Sequence, residues 1–396
     1  MIETVGDKCV GCGACASSCK MKCIEITAND EGFLYPKVNK DKCINCGICD
    51  KVCPALYNEP LHNINDAEIY GIRPNKENQH LVNKSASAGV FYFMAKAIIK
   101  KGGYIFGAVF DESHEVKHIC GKTLDDISRM QNSKYVQSDT TGIFAQIQDI
   151  FNANTKTWLL FCGTPCQCLG LQSFLGRKYD NLFLVDLLCH GVPSPLAFKK
   201  YLHYLEQTKN ETVKDFQFRC KYKGWNYHGY MSSYVKLNNH YWPTVRDPYM
   251  SSFLKMRNYR ESCYSCKYNT VKKCADISLA DFSGVRDIAP NFFTKVGCSE
   301  VYIHSEKGRF LLQLIEQYIE SIPLNPKDLE GFNSILKKER VRPVARNFIY
   351  KGINEMNDKT YVETKLMKGI SKKSIIRFYT PYLLRKFLSK FLSRKK

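Results

Sequence analysis

No long apolar run occurs in this chain of 396 residues. The most hydrophobic stretch, NLFLVDLLCHGV at 181–192, is interrupted by Asp186 and is far too short to span a bilayer, so it reads as a buried strand. The opening residues, MIETVGDKCV, hold no apolar segment of the kind a secretory signal needs. A reducing, cytoplasmic setting without disulfides is therefore expected. Acidic side chains are scarce beside basic ones, 38 against 58, for a formal charge of +20. No recognised nucleic-acid motif accompanies that charge, so nucleic acid is not an expected partner. An anionic membrane surface or a phosphate-bearing ligand fits it instead. With 44% hydrophobic and 24% charged residues, the length suits two or three ordinary globular domains.

Cysteine, by contrast, is abundant, and most of it is patterned. KCVGCGACASSC places Cys9, Cys12, Cys15 and Cys19 at spacings of three, three and four, and KCINCGICDKVCP repeats the pattern at Cys43, Cys46, Cys49 and Cys53 before Pro54. In such runs three thiolates reach three corners of one 4Fe-4S cubane and the fourth reaches the neighbouring cubane. The expected ligand sets are Cys9, Cys12, Cys15 and Cys53 for a first cluster, and Cys43, Cys46, Cys49 and Cys19 for a second. Zinc sites use thiol pairs separated by long loops and fit this spacing poorly. The first run departs from the pattern by carrying Lys20 in place of proline and an extra Cys23, read as a small buried residue. Two clusters with four thiolates each would lower the net charge to about +16.

Beyond a polar, asparagine-rich stretch, SASAG at 85–89 leads into an apolar-periodic helix of about a dozen residues, which Gly102 and Gly103 end before the strand YIFGAVF. A Ser/Gly turn at a helix start leaves backbone N–H groups free for a phosphate, although Ser is also simply a good N-cap. TWLLFCGTPCQCLGL reads as a buried strand, a tight turn and a helix start, the kind of junction where α/β folds place ligands. DLLCHGVPSP sets Cys189 and His190 at another strand end, and ESCYSC offers Cys263 and Cys266 at metal-ligand spacing. These cysteines read either as small core residues or as a third cluster.

SASAGVF, NSKYVQSD, FCGTPCQ, DLLCHGVPSP, KGW and CYSCKYNTVKKCADISLADF, in that order behind a two-cluster module, resemble the coenzyme F420 hydrogenase/dehydrogenase beta-subunit family over roughly residues 1 to 340. The resemblance implies an α+β protein: a bacterial-ferredoxin-like domain at 1–57, a linker at 58–83, α/β flavin-binding domains at 84–155 and 156–340, and a basic tail at 341–396. It implies FAD held by Ser85, Ser87, Gly89, Ser133, Lys134, Tyr135, Gln137 and Ser138, with Gly163, Thr164 and Pro165 near the ring. Cys166, Cys189, Cys263 and Cys266 would form the flavin-side cluster, with Cys162, Cys168 and Cys274 as lower-ranked ligands. The family's usual glycine is replaced by Ala88 and Ala280, and its tryptophan by Ser283. His190 reads either as a proton donor beside the cluster or as a hydrogen-bonded structural histidine.

Clusters carry single electrons, whereas FAD can collect two and release them as a hydride. The expected function is an oxidoreductase that passes electrons from a low-potential donor such as ferredoxin through the clusters to FAD and on to an organic substrate. Surface-polysaccharide biosynthesis is the setting the resemblance implies. The alternative is an electron-transfer subunit of a larger redox complex, without a substrate of its own. The tail, KKSIIRFYTPYLLRKFLSKFLSRKK, alternates apolar and basic residues at helical spacing. It reads either as a helix docked on the protein's own core or as a peripheral contact with the inner membrane face.

Overall fold

The computed structural model describes residues 2–56, 62–221, 224–225, 232–237, 241–245, 247–268, 272–332 and 340–370. The amphipathic tail segment at 372–396 lies outside them.

Each cysteine run folds as a loop that drops its third cysteine at or beside a short helix, Ala14–Ser18 (α1) in the first and Ile48–Lys51 (α2) in the second. Gly13 and Gly47 precede these helices at φ 75° and 71°, a conformation that favours glycine. Between the runs, Ile24–Ala28 (β1) and Leu34–Val38 (β2) form an antiparallel hairpin. The second of them is the strand expected from GFLYPKVN.

The body is built on one eight-stranded sheet. Its strands are Glu68–Pro74 (β3), Tyr104–Phe110 (β4), Val116–Gly121 (β5), Leu159–Gly163 (β6), Leu182–Leu187 (β7), Ile277–Asp281 (β8), Ser299–Ile303 (β9) and Ile319–Pro323 (β10), in the spatial order β10-β3-β9-β8-β7-β6-β4-β5. The four central strands β4, β6, β7 and β8 are parallel, and antiparallel strands flank them on both sides. Parallel strands are covered on both faces, which explains why LLFCG and LFLVDL read as nearly unbroken apolar runs. Val90–Lys100 (α3) buries Phe93, Met94, Ala97 and Ile98 against one face; Ile143–Ala153 (α5) and Pro165–Leu175 (α6) cover the other. The label α4 belongs to Leu124–Met130, whose Thr123 and Asp126 form a capping box. The fold is thus mixed α/β with a ferredoxin-like N-terminal region.

Two expected boundaries look different in three dimensions. The strand β3 falls inside the stretch 58–83 read as linker and pairs with β9 and β10, each more than 200 residues away. Strands on either side of residue 155 share the one sheet. The segment after 341 is not wholly a tail either. Ile349, Tyr350, Tyr361 and Leu366 are fully or nearly fully buried in a core shared with Pro195–Lys209.

The N-terminal module is fastened to this body. Thr140 donates to the Cys12 carbonyl at 2.8 Å, Leu34 N–H donates to Gln137 Oε1 at 2.9 Å, and the buried Arg346 holds Glu31 at the tip of the hairpin. Where α6 passes the first cysteine run, Gly170 leaves room: a Cβ there would stand 2.7 Å from Cys12 Sγ. Gly170→Ala should therefore displace Cys12 at a cost of about 1–3 kcal/mol. Iron analysis should show the first cluster depleted and the second retained; full iron content would show that α6 can give way.

Candidate functional site

The first expected ligand set comes together. Cys12 lies close enough to feel Cys9 and Cys53, and Cys15 feels all three. The four thiols line a small cavity closed by Ile2, Val5, Ile26 and Leu34. Burial pushes the Cys12 thiol up to about 12, and the neighbouring thiols add to the rise. Such sulfurs ionise when a metal supplies the compensating charge. In the second set, Cys19 and Cys43 gather around Cys23, whose sulfur is 3.3 Å from that of Cys19. Cys23 is small and buried as expected, yet it stands among the ligands. Cys46 is exposed, which puts the second site at the surface.

The four thiols expected at the flavin side also converge, from three separate places in the sequence. Cys166 opens α6, Cys189 follows β7, and Cys263 and Cys266 lie in and after the short turn Glu261–Cys263. Cys166 feels Cys266, Cys189 and Cys263, and burial raises Cys263 to about 12. The lower-ranked cysteines lie elsewhere. Cys168 and Cys274 face each other, donating to the Val185 and Pro165 carbonyls, and Cys162 faces Asp186 and Lys134. Among the described residues no three His, Cys, Asp or Glu side chains close on a point suited to a single ion. Each thiolate of a cubane binds a different iron, so its four sulfurs need not meet at a point.

Two cations sit at this third thiol group. Arg340 donates to the carbonyls of Cys189 and Cys263 at 2.6 and 3.2 Å. Lys273 is wholly buried between Cys189 and the buried Asp186 carboxylate, and its ammonium has no hydrogen-bond partner among the described residues. Neither was visible in the sequence as part of the site.

A cavity of about 440 Å³ opens beside these thiols. Of the residues expected at the flavin, Ser85, Ser87, Gly89, Ser133, Lys134, Tyr135, Gln137, Ser138, Gly163 and Thr164 line it, and Pro165 does not. Cys166 and Cys189 form part of its wall, and Val10 and Gly11 of the first run form another. At its floor α3 begins behind Gly89 (φ 76°) without a side-chain cap, so the first N–H groups of an eleven-residue helix are free of capping side chains.

Several side chains do other work than expected. The Lys134 ammonium donates to the carbonyls of Arg129, Met130, Gln131 and Asn132 at 2.8–3.3 Å, closing the end of α4, and burial draws it down to about 7. Ser87 donates to the Cys298 carbonyl, and Ser85 accepts from Gln131. His190 shares a hydrogen bond with the Tyr259 hydroxyl. Burial, helped by Arg340, holds this imidazole down to about 4. It is therefore neutral at pH 7 and carries no spare proton to donate. Sequence reading missed His118, stacked on Phe161 and bonded to Ser138 at 2.7 Å. It also missed Arg219, which lines the cavity, pairs with Asp281 at 2.7 Å and bonds the Tyr135 hydroxyl. Residues 62 positions apart in the chain carry no pairing signal.

Converging groups of cysteines beside a large cavity suit an iron-sulfur electron-transfer protein. Residues 8–56 match the 4Fe-4S dicluster domain, and residues 156–327 match the C terminus of the coenzyme F420 hydrogenase/dehydrogenase beta subunit. The chain thus joins a dicluster 4Fe-4S domain to the C-terminal domain of that beta-subunit family. No curated protein matches it. A solved chain from the F420-reducing NiFe hydrogenase complex of Methanosarcina barkeri, in a xenon derivative, is similar at 15% identity with a TM-score of 0.46, over 77% of this chain and 91% of that one. So distant a likeness adds nothing about chemistry. Among the described residues no helix is long and apolar enough to cross a membrane.

Proposed function

We propose that the protein is an FAD-dependent iron-sulfur oxidoreductase. Electrons from a low-potential donor such as reduced ferredoxin would pass through the two N-terminal clusters and a third, at Cys166, Cys189, Cys263 and Cys266, to a flavin in the cavity and on to an organic substrate. The observation that carries this reading is the cavity wall, to which both the first cysteine run and the third thiol group contribute.

The residues present fit both absent groups. Four half-buried thiols lie beside Arg340, which holds the Cys189 and Cys263 carbonyls, and near Lys273, whose charge the buried Asp186 carboxylate offsets in part; these cations suit a cluster of net charge 2−. The uncapped start of α3 offers N–H groups and the positive end of a helix dipole to a diphosphate. The cavity volume lies in the range of cofactor sites. When bound, FAD supplies the conversion between single electrons and a hydride. The chain's part is to hold and orient. Arg219, tied to Asp281 and Tyr135, presents a fixed cation to the substrate end. Neutral His190, bonded to the Tyr259 hydroxyl, is held in one orientation at the cavity wall, and proton donation at pH 7 would need another source. A sugar derivative of surface-polysaccharide synthesis is the substrate class implied by the family resemblance.

The electron-transfer subunit remains a second reading, favoured by Leu187 and Leu254, which line the cavity while 38% and 51% exposed. An apolar rim of this kind suits a docked partner. Anaerobic reduction of the complete protein, followed at flavin wavelengths, tests the route. Cys263→Ser should slow flavin reduction strongly while the N-terminal clusters reduce at the parent rate. Unchanged flavin reduction would remove the third thiol group from the path. A panel of organic acceptors then separates the two readings, since a subunit without a substrate reoxidises with none of them.

A further inference from the structure

Arg260 is the largest fully buried side chain among the described residues, and no carboxylate among them forms an ion pair with its guanidinium. It precedes Cys263 by three residues, in the segment that carries the third thiol group, and reaches into the N-terminal module. There Nε donates to the Cys9 carbonyl at 2.7 Å, and one terminal nitrogen donates to the Leu34 carbonyl at 2.9 Å and Gln137 Oε1 at 3.4 Å. The guanidinium lies 3.9 Å over the Tyr35 ring, and its other terminal nitrogen has no partner among the described residues. All these acceptors are neutral. Of the nearby carboxylates, Glu31 is engaged by Arg346 and Glu261 by Arg342 and Arg346, while Asp7, near Tyr35, is exposed to solvent that screens it. A full charge buried among neutral groups is strongly unfavourable unless an anion stands close by. One stands close: Cys9 belongs to the first thiol set, whose cluster carries a net charge of 2− when oxidised and 3− when reduced.

We propose that Arg260 sets the reduction potential of the first N-terminal cluster, raising it so that this cluster draws electrons from the surface-exposed second cluster and holds them next to the third thiol group. The step is a one-electron transfer in which the second cluster is oxidised and the first reduced, with no bond or proton moved. A fixed cation stabilises the 3− state more than the 2− state, so its effect is to favour reduction. Arg260 acts through charge and through its bond to the Cys9 carbonyl; it is a positioning residue.

The test is a spectroelectrochemical titration of the N-terminal clusters in the complete protein, and it depends on the dicluster module alone, not on flavin or on a third cluster. Arg260→Gln should lower the first cluster's potential by at least about tenfold in the reduction equilibrium, or about 59 mV for one electron. The second cluster should stay in place, and Arg260→Lys should fall between Gln and the parent. Gln137→Glu supplies the second arm. It keeps the size of the side chain and puts a carboxylate on the guanidinium, so it should lower the same potential even if Arg260→Gln does not retain the cluster. A first cluster that titrates unchanged in Gln137→Glu, or two clusters that shift together in every variant, would overturn the proposal.

Discussion

Iron analysis of the protein purified without oxygen should return about twelve iron atoms per chain, and Cys166→Ser or Cys263→Ser should return about eight. The expectation rests on three sets of four thiols. Two lie in complete cysteine runs within the matched dicluster domain. The third is assembled from α6, the end of β7 and the turn around Cys263. The four cysteines of that third set are half-buried, and burial raises Cys166, Cys189 and Cys263. Four ionised thiolates this close would repel one another, and cluster iron would offset that charge. Eight irons in the parent protein would leave the third set as packing, and about four, or stoichiometric zinc, would undo the cluster reading altogether. Loss of the N-terminal pair along with the third in Cys263→Ser would show that the three sites assemble as one.

Denatured protein should release close to one FAD per chain, and Ala86→Asp should abolish most of that yield while leaving the iron content intact. Ala86 lines the cavity in the turn before the uncapped start of α3. A carboxylate placed there would stand beside the diphosphate. At contact distances like charges repel by about 1–4 kcal/mol between bulk water and a protein surface, roughly fivefold to a thousandfold in affinity. Because acidic residues near a helix N-terminus stabilise the helix, lost flavin with retained iron would separate cofactor repulsion from misfolding. If the parent protein yields no flavin even after reconstitution, the cavity belongs to another ligand and the chain is reduced to an electron wire. Lys134→Glu is a less clean probe than its place in NSKYVQSD suggests. It would strip four carbonyls of their donor at the end of α4 before any phosphate is reached.

The amino-acid order alone was enough for the parts whose chemistry is local. Eight cysteines at spacings of three, three and four can be read as cubane ligands because the chain between neighbouring ligands is only two or three residues long, too short to place them anywhere else. The helix Val90–Lys100 and the strand Tyr104–Phe110 were legible for the same reason: periodicity and a Gly-Gly stop act within a few residues. What lies between distant segments came from long-range packing. It turned residues 68–74 from linker into a sheet strand by pairing them with β9 and β10. It engaged Lys134 with helix carbonyls, left His190 neutral by burial, and placed Lys273 and Arg260 as buried cations beside thiol groups. Whether a charge is worth keeping inside a protein depends on the anions, carbonyls and dielectric that long-range packing brings around it, and none of these is written next to it in the chain.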